Sequence, residues 1–247
     1  MRFIGNTILI TGGTSGIGRA LAEALQKKGN QVIIAGRRKH LLDEVTGANP
    51  GMKAVELDVE DMANLPAVLG QLTHDHPELN SVILNAGIMR PEDVKKGDTR
   101  DAEAIISTNL LAPIRMVAAL MPHLLKQPAA SIVTVSSGLA FVPLALTPTY
   151  CATKAAIHSY TMSLRYQLKD THIRVREIIP PWVATELMGA TPTDPRAMPL
   201  ADFIAETVEL MDTSADEIAV GRVLPLRNAA KGDELAFFQQ FNDAMPH

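Results

Sequence analysis

Short runs of consecutive, largely β-branched apolar residues alternate along this chain with longer stretches of helical spacing. The runs are Ile8–Ile10, Val32–Ile34, Val82–Leu84 and Ile132–Val135, with Ile173–Ile179 a fifth candidate. Runs this short, without polar alternation, suit strands buried on both faces. Between them, apolar residues recur every three or four positions: Ile17, Ala20, Leu21, Ala24 and Leu25, then Leu65, Val68, Leu69 and Leu72, then Ile157, Tyr160, Thr161 and Leu164. Gly29 supplies the stop signal of the first of these helices. A less apolar strand, third in order, is expected to end at Leu57-Asp58-Val59. Strands joined by helical crossovers predict an α/β fold, a doubly wound parallel sheet with helices on both faces.

Composition narrows the function classes. Apolar residues make up 47% of the chain, enough surface to offset the ordering entropy that keeps polar chains disordered. The net charge is -4 and no basic run is present, which argues against a nucleic-acid partner. The sole cysteine, Cys151, allows no intrachain disulfide and suits a reducing compartment. No histidine has metal-ligand spacing, so no metal is expected. Gly5, Asn6 and Thr7 interrupt the opening segment too early for a signal peptide. The apolar stretch Leu110–Leu125 contains Pro113, Arg115, Pro122 and His123, so it reads as a buried helix rather than a membrane span. The expected location is cytoplasmic.

One segment breaks the alternation. Residues 180–199 carry Pro180, Pro181, Pro192, Pro195 and Pro199, and proline removes donors and fixes φ. Residues 180–205 are therefore expected to form a binding-site lid within one domain spanning 1–247, because the remaining chain is short for a second domain. Residues 216–247 form the C-terminal extension. There Glu217–Leu224 is expected to be a strand, and Leu235, Phe237, Phe238 and Phe241 an added helix.

Immediately after the first strand comes Thr11-Gly12-Gly13-Thr14-Ser15-Gly16-Ile17-Gly18, and then a helix. A glycine turn feeding a helix N-terminus presents free N–H groups and the positive dipole end to a phosphate. Further on stand Asn85-Ala86-Gly87 after the fourth strand and Tyr150-x3-Lys154 at a helix start. In order and spacing, these motifs resemble the short-chain dehydrogenase/reductase family in its compact form, from residue 7 to about residue 190. The resemblance implies a Rossmann-like fold and a nicotinamide cofactor.

It further implies cofactor contacts at Gly12, Thr14, Ser15, Gly16, Ile17 and Gly18 in the turn, and at Asp58 and Val59 around the adenine. Asn85, Ala86 and Gly87 would border the ribose. Asp58 has a second reading, as the N-cap of a helix starting near Glu60 or Asp61. The second strand is followed by Arg37 and Arg38 with no carboxylate before Asp43. Arginine accommodates the 2′-phosphate of NADP, where an acidic residue would select NAD. NADP(H) is therefore the expected cofactor, with NAD the weaker alternative. Pro180-Pro181-Trp182-Val183-Ala184-Thr185 resembles the family's Pro-Gly-x-Val-x-Thr, in which Pro180, Val183 and Thr185 would hold the carboxamide and a phosphate. Pro181 departs from the family's glycine.

Tyr150 and Lys154, at i and i+4, share one helix face. A positive charge about 6 Å away at an effective dielectric near 20 supplies about 2.8 kcal/mol, so Lys154 is expected to lower the tyrosine pKa by about two units. By resemblance, Tyr150 is the general acid/base, Lys154 also binds the ribose, Ser137 bonds the substrate oxygen and Asn109 holds a water in a relay to the lysine. A buried amide satisfied by backbone is the plainer reading of Asn109. Leu139, Phe141, Val142, Leu144, Leu146, Trp182, Leu187 and Met188 are expected around a lipophilic carbonyl or alcohol substrate. A homo-oligomer, dimer or tetramer, is expected. The rival classes are an NADPH-binding redox sensor without turnover and a sugar epimerase. Sensors tend to lose the tyrosine or lysine, and epimerases need a larger substrate domain.

Overall fold

The computed structural model describes residues 3–189, 193–229, 240, 243 and 244. The described strands are β1 (Thr7–Thr11), β2 (Gln31–Gly36), β3 (Lys53–Glu56), β4 (Leu79–Leu84), β5 (Ala130–Val135), β6 (Ile173–Ile179) and β7 (Glu217–Ala219). They form one sheet in the order β3-β2-β1-β4-β5-β6-β7, and every neighbouring pair is parallel. The chain winds outward in one direction from β1 and in the other from β4. The ends of these two strands therefore flank a crevice that no crossover covers.

The helices are α1 (Gly16–Lys27), α2 (Lys39–Ala48), α3 (Leu65–Asp75), α4 (Arg100–Ile106), α5 (Ala112–Leu124), α6 (Pro148–Gln167), α7 (Leu200–Met211) and the short α8 (Leu224–Arg227). A π-helical turn, Ser107–Leu111, joins α4 to α5. Helices α1, α2 and α7 cover one face of the sheet, and α3, α5 and α6 the other. Successive strand residues serve opposite faces: Ile8 and Ile10 pack under α1, while Leu9 packs on the α3 side. Full burial of one such side chain contributes about 1.5–3 kcal/mol, which is why the strands read as unbroken apolar runs. Gly29 ends α1 as expected, at φ 94°. The helical run Arg100–Leu124 is long and apolar enough to cross a membrane, but Met116, Val117, Leu120 and Leu124 are in the core.

The structure corrects four boundaries. Strand β3 ends at Glu56, short of Leu57-Asp58-Val59, although the Leu57 N–H still donates to the Gly36 carbonyl. Helix α3 starts at Leu65, so Asp58 caps no helix; its carboxylate accepts from the Glu60 N–H in a turn. The irregular segment ends at Pro199 as expected, but α7 begins at Leu200, so the lid range drawn to 205 takes in the first residues of that helix. Strand β7 stops at Ala219 because the Gly221 N–H turns out of the ladder to the Glu206 carboxylate, 2.5 Å away. The expected helix at Leu235, Phe237, Phe238 and Phe241 lies outside the described residues.

Buried Arg176 ties β6 to the far end of α7. Its guanidinium donates to the carbonyls of Leu210 and Met211 at the helix end and of Ala215 just beyond it. Burial brings its pKa down to about 10.

Candidate active site

The glycine turn sits at the crevice between β1 and β4. Gly12 and Gly16 adopt φ 67° and 53°, a region that side chains disfavour. Gly18 is fixed by contact instead: a Cβ there would lie 2.2 Å from the Gly12 oxygen and 2.4 Å from Asn85 Nδ2. The Thr11 hydroxyl accepts from the N–H groups of Asn85 and Ala86, each at 3.0 Å. Asn85 Nδ2 donates back to the Thr11 carbonyl at 3.0 Å. The two sequence motifs are therefore one structure. Ser15, the N-cap of α1, makes no side-chain capping bond, and the first turn holds no acidic residue. The positive end of α1 thus faces the crevice without an internal anion.

The two arginines after β2 are placed differently. Arg38 Nη2 donates to Thr14 Oγ1 at 3.3 Å, against the glycine turn. Arg37 lies beside Glu60 at 3.3 Å and Asp58 at 3.8 Å. On the opposite rim, Trp182 and Ala184 both bond to Met198, which turns the Val183 backbone to the other side. Thr185 stands over the turn, 3.7 Å from where a Gly16 Cβ would be. Pro181 fits without strain, since no described non-glycine residue has positive φ. The preceding Pro180 carbonyl accepts from the Gly138 N–H.

Ser137, Tyr150, Lys154 and Asn109 are brought together and buried, at 2–7% exposure. Helix α6 begins beside the crevice because Glu92 caps it, accepting from the N–H and hydroxyl of Thr149 at 2.9 and 2.7 Å. Sequence reasoning missed Glu92; it caps from a distant loop, with no local signature. Lys154 Nζ donates to the Val135 carbonyl at 2.8 Å and lies 5.4 Å from the centre of the Tyr150 ring. Tyr150 also hydrogen-bonds Ser137, whose Oγ accepts from the Leu139 N–H.

The expected lowering of the Tyr150 pKa does not appear. Burial pushes the hydroxyl well above its ordinary value, and the Ser137 hydrogen bond opposes this only in part. A phenolate here would lose its hydration, and that cost outweighs the nearby ammonium. The same burial brings Lys154 down to about 8, with the Glu177 charge acting in the opposite direction.

Asn109 falls in the π-helical turn. Pro113 has no N–H to give the Asn109 carbonyl the ordinary i+4 bond, which suits the wider π turn at this place. The side chain does what the plainer reading required. Its Oδ1 accepts from the Ile88 N–H and its Nδ2 donates to the Ile88 carbonyl, both at 2.9 Å, and Thr153 Oγ1 lies 3.4 Å from Nδ2.

Of the apolar residues expected around a substrate, Leu139, Leu144 and Leu146 do cluster with Tyr150, joined by Ile88, Met89 and Ile105. Phe141 does not: it packs edge-on against His158 at 4.7 Å, beneath Arg227. Val142 is buried, Trp182 is half-buried near Arg196, and Leu187 and Met188 are exposed. Cys151 is a packing residue bonded to the Leu144 N–H, its thiol pKa raised by burial.

A family model described as short chain dehydrogenase matches residues 6–196. The chain is 40% identical to "Uncharacterized oxidoreductase DltE" of Bacillus subtilis (strain 168), with 98% of each chain covered. It is 32% identical to the "NADP-dependent 3-hydroxy acid dehydrogenase" of Schizosaccharomyces pombe, over 75% of this chain and 74% of the other. Among solved structures, a Burkholderia cenocepacia short chain dehydrogenase in complex with NADP has a TM-score of 0.84 at 24% identity, over 100% of both chains. A Burkholderia phymatum short chain dehydrogenase/reductase in complex with NAD has a TM-score of 0.82 at 21% identity, over 100% of this chain and 99% of that one.

Gly18→Ala is expected to displace Asn85 and lower stability by about 1–3 kcal/mol, the usual range for overpacking. Gly47→Ala, in an open position on exposed helix, should raise it by about 0.5–1 kcal/mol. Urea midpoints for the two variants check this; equal midpoints would contradict the close packing of the turn.

Proposed function

The chain belongs to the short-chain dehydrogenase family of oxidoreductases, and from that premise we propose that it interconverts a carbonyl and an alcohol using NADP(H), with Tyr150 as general acid/base. The observation that carries this reading is the convergence of Ser137, Tyr150 and Lys154 in one buried site beside an uncapped helix N-terminus. The donor set suits a dinucleotide. The N–H groups of Ser15, Gly16, Ile17 and Gly18 would receive a pyrophosphate, with Gly12 and Thr14 shaping the turn. Asp58 and Val59 would border the adenine, and Asn85, Ala86 and Gly87 the ribose. Pro180 and Val183 would hold the carboxamide, and Thr185 a phosphate. Arg38, already against Thr14, and Arg37, now beside Glu60 and Asp58, would take the 2′-phosphate.

The bound cofactor supplies the hydride donor or acceptor. Ser137 orients the substrate oxygen by a hydrogen bond. Tyr150, held protonated at neutral pH by its raised pKa, gives its proton to that oxygen during reduction. Lys154 places an ammonium near the tyrosine and holds ribose hydroxyls. Asn109, in the π-helical turn, would hold a water that returns a proton to the lysine. Leu139, Leu144, Leu146, Ile88 and Met89 favour a lipophilic substrate. Residues 180–199 would close over it as a lid. Exposed Ile106 and Leu111, and exposed Met162 and Tyr166 on α6, lie on elements that pack against each other and would offer apolar surface to a second copy of the chain.

Tyr150→Phe is expected to abolish NADPH-dependent reduction across a panel of ketones and aldehydes while leaving NADPH affinity near wild type; retained turnover would refute the mechanism. In the wild type, NADPH should outperform NADH. Arg37→Asp should lower kcat/KM for NADPH by about tenfold to a hundredfold, the worth of a lost charge-assisted bond. Equal efficiency with both cofactors in the wild type would overturn the NADP(H) assignment. Light scattering should give a multiple of the 26.6 kDa chain mass, and a purely monomeric mass at micromolar concentration would remove the docking face.

A further inference from the structure

We infer that Glu177, held by His158, is a positioning residue for Lys154: its buried carboxylate is the counter-charge that keeps the lysine ammonium protonated beneath α6. The effect on turnover rests on the function proposed above; the effect on the lysine does not.

Lys154 is 5% exposed, and its ammonium donates to the Val135 carbonyl. An ammonium in such a site needs an opposite charge nearby or it gives up its proton. Glu177 is fully buried on β6, in register with Thr134 on β5. Register partners in a parallel pair point to the same face. Thr134 Oγ1 meets Thr161 Oγ1 of α6 at 2.7 Å, so Glu177 also faces α6. There both carboxylate oxygens meet His158 Nδ1, at 3.0 and 2.9 Å. His158 lies one turn beyond Lys154, so Tyr150, Lys154 and His158 follow each other at i, i+4 and i+8 along one helix face. The next residue on β5 after Thr134 is Val135, whose carbonyl holds the ammonium. The carboxylate and the ammonium therefore share one dry strip between β5, β6 and α6.

The other charged groups facing this strip have partners of their own, although Arg165 Nη2 is buried without a hydrogen bond. Glu217 on β7 forms a two-point pair with Arg227 on α8, at 2.7 and 3.0 Å. Arg165, further along α6, lies 3.8 Å from Asp216. His158, Glu177 and Glu217 offer ligand atoms all within 4.8 Å of one another. Both carboxylates have donors, however, so the cluster is a charge network closing on the lysine. The direction of the lysine's pKa agrees: burial lowers it and the Glu177 charge raises it.

The sign of the test follows. Removing the Glu177 charge withdraws support from the protonated lysine, so Lys154 titrates at lower pH. The direct readout is the 13Cε signal of lysine-labelled, cofactor-free protein, with Lys154 assigned as the signal lost in Lys154→Met. In Glu177→Gln the Lys154 midpoint should fall by about one pH unit or more. His158→Leu, which strips the carboxylate of its donor, should move it the same way, and His158→Gln, which restores an N–H, should recover most of the shift. The alkaline limb of kcat/KM for carbonyl reduction should move to lower pH in parallel. A midpoint within about 0.2 unit of wild type in both Glu177→Gln and His158→Leu overturns the inference. If Glu177→Gln does not fold, His158→Leu against His158→Gln decides. A shifted midpoint in a protein without turnover would sink the proposed function and leave this inference standing; turnover abolished by Tyr150→Phe with no shift would do the reverse.

Discussion

The Thr11 hydroxyl joins the two halves of the site. It accepts from two consecutive N–H groups past the end of β4 while its own chain turns into the glycine segment after β1. Those strands are where the winding of the sheet reverses, so each ends without a crossover to cover it. Two open strand ends would leave buried backbone donors unpaired, and Thr11 and Asn85 satisfy each other instead. The crevice is therefore shaped before any ligand arrives. The N–H groups of α1 and the Asn85–Gly87 segment are held in fixed relation by bonds that no ligand must form.

On the other side of the crevice, burial sets the electrostatics. The same desolvation acts on Tyr150 and Lys154 with opposite effect, raising the acid that is neutral when protonated and lowering the one that is charged. Both shifts favour the uncharged form. In the proposed reaction a neutral, protonated tyrosine would give its proton to an oxygen that gains negative charge, and the lysine would help only while it keeps its ammonium. The surroundings of the lysine, more than those of the tyrosine, would then decide over what pH range the proposed pair works.

The alternation of β-branched runs and helical stripes made the layered sheet legible in the sequence, because strands buried on both faces cannot hide their composition. Strand β3 was less legible because it is an edge strand whose residues are largely exposed, and its boundary was misplaced accordingly. The motif residues were legible, since glycine spacing and Tyr-x3-Lys are local patterns. Their electrostatics were not. A pairwise estimate from the i, i+4 spacing included the lysine charge but not the desolvation that opposes it, and desolvation depends on what the rest of the chain packs around the site. Phe141 was misassigned for a related reason: proximity in sequence to Ser137 does not say which side of the segment a ring takes. Glu92 and Ile88 were invisible because they act across long sequence separations, one through a helix cap and the other through its backbone.

Pro181 shows how a departure from a family pattern can be absorbed. A glycine at that place is replaceable only if its backbone is not in the left-handed region and its N–H is not needed. Here the segment is anchored by its neighbours. The Pro180 carbonyl receives the Gly138 N–H, and Trp182 and Ala184 both bond to Met198. The root of the irregular segment is thereby fastened to the residue that follows Ser137, and its first turn is braced against its own last residues before α7. Two consecutive prolines stiffen that root further by restricting φ. These hydrogen bonds hold the Ser137 segment and the Val183 backbone in fixed relation at the root of the irregular segment.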